Sequence, residues 1–106
     1  MTKKKRPRTE RRDRERALDK LAEGRTRLAR LETGGDPSRP VAVASASVVE
    51  VHAESLPCLR CAEATRVDEH KAVTVDGRAL RVVTLRCRMC GTTRDVWFTL
   101  EGALPN

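Results

Sequence analysis

Apolar positions along this chain change period several times, and each change predicts a different element. Between Glu10 and Glu32 the leucines Leu18, Leu21, Leu28 and Leu31 recur at helical spacing on one face, with Ala17, Ala22 and Ala29 beside them. That pattern predicts an amphipathic helix over 10–33. Gly24 and Arg25 interrupt the stripe, Thr33-Gly34-Gly35-Asp36-Pro37 ends it, and residues 34–40 read as a linker. Val41, Val43, Val49 and Val51 then fall in alternating register, which predicts a strand within Val41 to His52. Ala72 to Val75 and Leu80 to Leu85 flank Asp76-Gly77, a pair that supplies the positive φ angles of a two-residue turn, so this stretch predicts a hairpin. The outgoing arm, Ala64 to Val75, is three residues longer than the return arm, Arg78 to Arg86. It contains the polar run Arg66-Val67-Asp68-Glu69-His70, where a bulge or loop is expected. From Arg94 to Leu100, Val96, Phe98 and Leu100 alternate with Asp95, Trp97 and Thr99, a third strand with one apolar face.

The chemistry sits at the base of that hairpin. Cys58-Leu59-Arg60-Cys61 and Cys87-Arg88-Met89-Cys90 are two Cys-x-x-Cys pairs separated by 25 residues. In each pair the short loop lets both sulfurs point at one ion, and two pairs make a tetrahedral set of thiolates. A hairpin of this length leaves the ion and returns to it. Two other readings use the same residues: a pair of disulfides, with three possible connectivities, and a rubredoxin-like iron site. The first is disfavoured in a chain that shows no secretory signal. The second is disfavoured because such carriers are acidic and aromatic-rich, whereas this chain has net charge +7, one Trp, one Phe and no Tyr. His52 and His70 are not needed to complete four thiolates and read as surface histidines on strands.

With its two knuckles, hairpin and following strand, the stretch from about Pro57 to Leu100 resembles the zinc-ribbon family. The resemblance implies a small β fold, a three- to four-stranded antiparallel sheet, with one structural Zn2+ on Cys58, Cys61, Cys87 and Cys90. Ala62 stands where that family usually has glycine, and neither pair has the proline often found after its first cysteine. Asp68-Glu69, after Thr65-Arg66-Val67, resembles the acidic pair in the hairpin of transcript-cleavage elongation factors. Here it lies well before the Asp76-Gly77 tip, so the likeness is read as chance.

Charge divides the chain in two. Residues 1–33 hold thirteen Lys or Arg against six acids, and the remaining 73 residues hold nine of each. Residues 1–9 lack any apolar anchor and are expected to be a basic disordered tail, so the organisation reads as tail 1–9, helix 10–33, linker 34–40 and ribbon domain 41–104. Lys3, Lys4, Lys5, Arg6, Arg8, Arg11, Arg12, Arg14 and Arg16 are the candidate nucleic-acid contacts, whether to DNA or RNA. The competing reading is a protein-interaction module that docks through the Trp97 face or the leucine helix. Arg25 at the centre of the stripe argues against a long coiled coil.

A domain of about 60 residues buries only around 60% of its chain surface. A structural zinc is therefore expected to supply much of the stability. No run approaches a membrane span, and Met1 to Asp19 is basic with no apolar segment after it, so a cytoplasmic protein with no membrane partner is expected. Seventeen Arg to five Lys, with no Ile or Tyr, points to a GC-rich coding sequence and a bacterial source; in a nucleated host Lys3 to Arg8 would read as a nuclear-import signal. No Ser or Thr has a histidine at a telling spacing, there is no glycine-rich phosphate loop, and four thiolates leave a metal no open position. An enzyme is not expected.

Overall fold

The computed structural model describes residues 7–101, so Lys3, Lys4, Lys5, Arg6 and the end of the expected ribbon domain lie outside the described residues. The order of elements is α1 (Pro7–Leu31), β1 (Val41–Val43), α2 (Ala46–Glu54), β2 (Thr65–Val75), β3 (Arg78–Cys87) and β4 (Thr93–Leu100). Residues 7–9, expected in the disordered tail, are helical.

The hairpin forms as its sequence dictates. Asp76 and Gly77 take φ of 51° and 76°, the two positive angles of the tight turn, and β2 pairs antiparallel with β3 from Thr65↔Cys87 to Val75↔Arg78. The extra residue of the long arm is Asp68, where the register shifts between Val67 and Glu69; its carboxylate accepts from Arg86 Nη2 at 3.1 Å across the bulge. β4 adds antiparallel to β3 from Arg81↔Phe98 to Arg86↔Thr93.

The sheet is mixed, not antiparallel throughout. Its order is β1-β4-β3-β2, and β1 runs parallel to β4. The expected strand from Val41 to His52 is three residues long and gives way to α2. Ser45 is extended at the start of α2 (φ −154°), and Val49 and Ala53, four residues apart, are the buried pair of the helix. With α2 crossing the sheet face from one edge strand to the other, β1 and β2 point the same way, as a strand–helix–strand crossover requires.

α2 closes the core. Val49 and Ala53 pack with Val43, Val83, Leu85, Val96 and Phe98, all at most 8% exposed, with Val41, Leu56 and Val67 at the margin. His52 is on α2 and not on a strand, its ring edge-on to Phe98 at 5.6 Å. His70 is on β2 but is half-buried, not the surface residue expected, with Nδ1 2.9 Å from Glu50 of α2.

β1 covers only the last residues of β4, and residues 34–37 occupy the edge beside the rest. Gly34 accepts from the Trp97 amide at 2.8 Å and its own N–H donates to Arg39 O. Gly34 has φ +91°, and a Cβ there would lie 2.8 Å from Val41 Cγ2; one on Gly35 would lie 1.8 Å from Ala29 O. Both positions therefore need glycine. The segment 34–40 is thus packed structure, and it ties the end of α1, where Ala29 is buried, to the sheet.

Candidate metal centre

The two knuckles are built alike. The Cys58 amide donates to Glu63 O at 2.9 Å and the Ala62 amide to Cys58 O at 3.0 Å; in the second, the Cys87 amide donates to Thr92 O at 2.9 Å and the Gly91 amide to Cys87 O at 3.1 Å. Ala62 and Gly91 each turn the chain after the second cysteine with left-handed φ, 64° and 74°. The position where Ala62 departs from the zinc-ribbon pattern is therefore the one at which L-residues are strained.

These turns converge the sulfurs. All four Sγ atoms lie within 4.8 Å of one another, with Cys61–Cys87 at 3.4 Å, Cys58–Cys90 at 3.6 Å and Cys61–Cys90 at 3.7 Å. A tetrahedron with metal–sulfur bonds of about 2.3 Å has edges of about 3.8 Å, so the spacing suits one ion at the centre. The four cysteines are free thiols, so none of the three disulfide connectivities is present. Cys58 and Cys87 are buried, and Cys61 and Cys90 are on the surface.

Backbone amides point at the sulfurs: Arg60 N at 3.3 Å from Cys58 Sγ, and Met89 N and Cys90 N at 3.3 and 3.4 Å from Cys87 Sγ. Such donors favour thiolates. The Thr92 hydroxyl, 3.1 Å from Cys90 Sγ, and the Thr92 amide draw the Cys90 thiol down to about 6. The amides of Cys90 and Met89 lower Cys87 despite desolvation. Cys61 goes the other way: an amide bond at Glu63 favours its thiolate, but the crowding sulfurs of Cys87, Cys90 and Cys58, together with desolvation, hold it up at about 12. Four thiolates this close cannot all ionise without a cation between them, and a divalent ion supplies that charge.

Three arginines frame the cluster. Arg60, raised above its ordinary value first by its hydrogen bond to Asp19, forms a 2.5 Å ion pair with that residue of α1. Arg94 is half-buried with Nη1 on Pro57 O at 3.2 Å and Nε unpartnered, and desolvation lowers it against the favourable field of Glu32 and Cys58. Arg88 is exposed beside the second knuckle. None of these positions was singled out from sequence, because two of them act through residues far away in the chain.

Arg8, Arg11, Arg12, Arg14 and Arg16 all lie on α1 and are exposed. They precede Asp19, the residue of α1 that reaches the first knuckle through Arg60. Asp68 and Glu69 are engaged with Arg86 and Lys71, away from the Asp76-Gly77 tip. Trp97 is half-buried, beside Thr26, Ala29 and Arg30 of α1 and Gly35 to Pro37. Among the described residues no helix is long and apolar enough to cross a membrane. The chain matches no protein-family profile, no curated protein and no solved structure.

Proposed function

We propose that this chain is a zinc-ribbon protein in which one structural Zn2+ on Cys58, Cys61, Cys87 and Cys90 holds the base of the β2–β3 hairpin, and that its basic N-terminal segment associates with nucleic acid. The convergence of four sulfurs on one point carries the first half. The same donor set suits zinc or iron; the basic balance and the near absence of aromatic residues favour the structural metal over an electron carrier. Zinc saturated by four thiolates has no site for water or substrate, so its role is to stabilise the fold, not to catalyse a reaction.

The second half rests on how α1 arranges charge. Arg8, Arg12, Arg16 and Lys20 are exposed and follow one another at i, i+4, one ridge of cations with a rise of about 6 Å per step. Like charges at this spacing cost an isolated helix a few tenths of a kcal/mol per pair, about 0.2–0.5. A row of phosphates relieves that repulsion and releases counterions. Of the acids that flank the ridge, Asp19 is paired with Arg60.

The test is binding of the zinc-loaded full chain to duplex DNA and to structured RNA across a salt series. Log affinity is expected to fall with log salt, and replacing Arg8, Arg12, Arg16 and Lys20 by Gln is expected to flatten the slope by about 0.9 per lost contact on a duplex. Binding that ignores salt removes the nucleic-acid reading, and binding that survives the four substitutions unchanged removes the ridge from it; both outcomes leave the zinc reading standing.

A further inference from the structure

Residues 34–37 stand beside β4 but bond to its backbone only where Gly34 accepts from the Trp97 amide. On the knuckle side of that bond a cavity of about 400 Å³ lies between the strand and the last turns of α1, with Leu59 of the first knuckle on its wall. Its size is within the range of small-ligand sites, about 300–1,000 Å³. Neither the thiolates nor the basic ridge of α1 contributes to its lining.

The strand presents backbone to this cavity. Trp97 and Glu101 both donate their amides away from β3, to Gly34 O and Val43 O at 2.8 Å each. Backbone direction along a strand repeats every second residue, so the N–H and C=O of Thr93 and Asp95 turn to the same edge. β1 pairs with β4 from Phe98 onward, and among the described residues neither of these two amides donates to another protein group. Thr93 and Asp95 thus leave donors and acceptors open on the cavity wall.

Cations line it too. Arg94 is half-buried, with Nη1 given to Pro57 O and Nε unpartnered, and Arg30 is exposed. The two acids on the same wall are engaged by neighbours: Asp36 accepts from the Ser38 amide at 2.9 Å and from its hydroxyl, and Asp95 from the Thr84 hydroxyl at 2.7 Å. Among the described residues no carboxylate forms an ion pair with Arg94 or Arg30. A half-buried guanidinium without a counter-charge is costly, and an anion in the cavity removes that cost. Trp97, also half-buried there, adds a planar apolar surface.

We infer that this cavity holds one nucleotide unit, a flat base with its phosphate. An edge residue with N–H and C=O both open matches the adjacent acceptor and donor on a base edge, an indole stacks on a base, and guanidinium forks suit phosphate. Strand addition by a peptide needs a longer run of open edge, whereas here Gly34 closes the run at Trp97. A free nucleoside monophosphate and the unstacked end of a nucleic-acid strand share this chemistry. The inference is independent of the ridge, since Arg8, Arg12, Arg16 and Lys20 take no part in the site.

Titration of the zinc-loaded full chain with adenosine 5′-monophosphate, read by calorimetry and by the fluorescence of Trp97, tests it. Saturable binding with a Kd below about 1 mM and quenching of Trp97 are expected. Adenosine and inorganic phosphate, each meeting half of the site, are expected to bind at least about tenfold more weakly, and Arg94→Gln and Arg30→Gln each to weaken the monophosphate about fivefold or more. Arg30 is exposed, so its replacement leaves folding and zinc content intact and decides the matter even where Arg94→Gln fails to fold. A 5′-phosphorylated tetranucleotide that binds more tightly than the monophosphate assigns the site to strand ends, and equal affinity assigns it to the free nucleotide. No saturable binding, phosphate as good as the monophosphate, or affinity unmoved by Arg30→Gln overturns the inference. So does quenching of Trp97 by the extended tripeptide trivaline with none by the monophosphate, which returns the edge to strand addition.

Discussion

At the scale of single residues, the two knuckles offer a controlled comparison. Ala62 and Gly91 hold the same left-handed conformation after the second cysteine of each pair, at φ 64° and 74°. A Cβ at Gly91 meets nothing within 4 Å, so the conformational term stands alone there. Left-handed backbone costs an L-residue roughly 1–2 kcal/mol. Ala62→Gly is therefore expected to stabilise the zinc-loaded protein by about 1 kcal/mol, less a part returned by the greater freedom of glycine in the unfolded chain, and Gly91→Ala to destabilise it by about as much. Denaturant titration of the two variants at saturating zinc measures both. Equal stability of Ala62→Gly and the parent chain refutes the strain argument.

Among the elements, the segment between α1 and β1 is the least legible in sequence. Two glycines, an aspartate and a proline signal a linker, yet in the fold they fill the edge of β4 that β1 leaves open. Gly35→Ala sets a methyl group against Ala29 O and is expected to pry the last turn of α1 from the sheet. Trp97, the sole tryptophan, lines one cavity with Ala29 and Arg30 of that turn, so quenching of its fluorescence by acrylamide should increase while zinc remains bound. Gly34→Ala, which combines a positive φ with contact against Val41, is expected to cost about 2 kcal/mol. A chain shortened to begin at Val41 loses the same edge cover, so its melting temperature should fall even where metal binding persists. The opposite sheet face behaves as a packed core: Phe98, fully buried under α2, should cost about 3–5 kcal/mol when cut to Ala.

For the whole molecule, a metal held by the four thiolates would outweigh every single side-chain contact. The apolar core is one phenylalanine with a few Val, Leu and Ala residues. Zinc bound by a small domain contributes apparent free energies of about 10–16 kcal/mol at neutral pH, as large as the entire stability of an ordinary domain, about 5–15 kcal/mol. Chelation is expected to abolish the cooperative melt, and Cys87→Ser to do the same, since a buried ligand is lost and three thiolates are left crowded. Elemental analysis should find one zinc per chain. A metal-free protein that still melts cooperatively contradicts this account, and a red, iron-loaded one reassigns the centre to electron transfer. The α1 helix is the counterpart of the metal domain: basic on one ridge, leucine-lined on another, held to the first knuckle through Arg60.

By itself the sequence determined what local spacing controls. Two Cys-x-x-Cys pairs predetermine which sulfurs meet, Asp76-Gly77 sets the hairpin register, the longer, polar outgoing arm signals a bulge, which the fold makes with the one extra residue Asp68, and alternation from Arg94 onward marks Val96 and Phe98 for the core. Tertiary structure decided the rest. The valines from Val41 to Val51 fit a strand by period, but Val49 and Ala53 bury better as one face of a helix over the open sheet, and that crossover makes β1 parallel. The side of α1 that meets the domain was equally invisible: Asp19 finds Arg60 and Arg25 finds the Arg60 carbonyl only because the first knuckle is carried to the helix by the fold. Period reports which side chains share a face. Only the packing of distant elements says what that face meets.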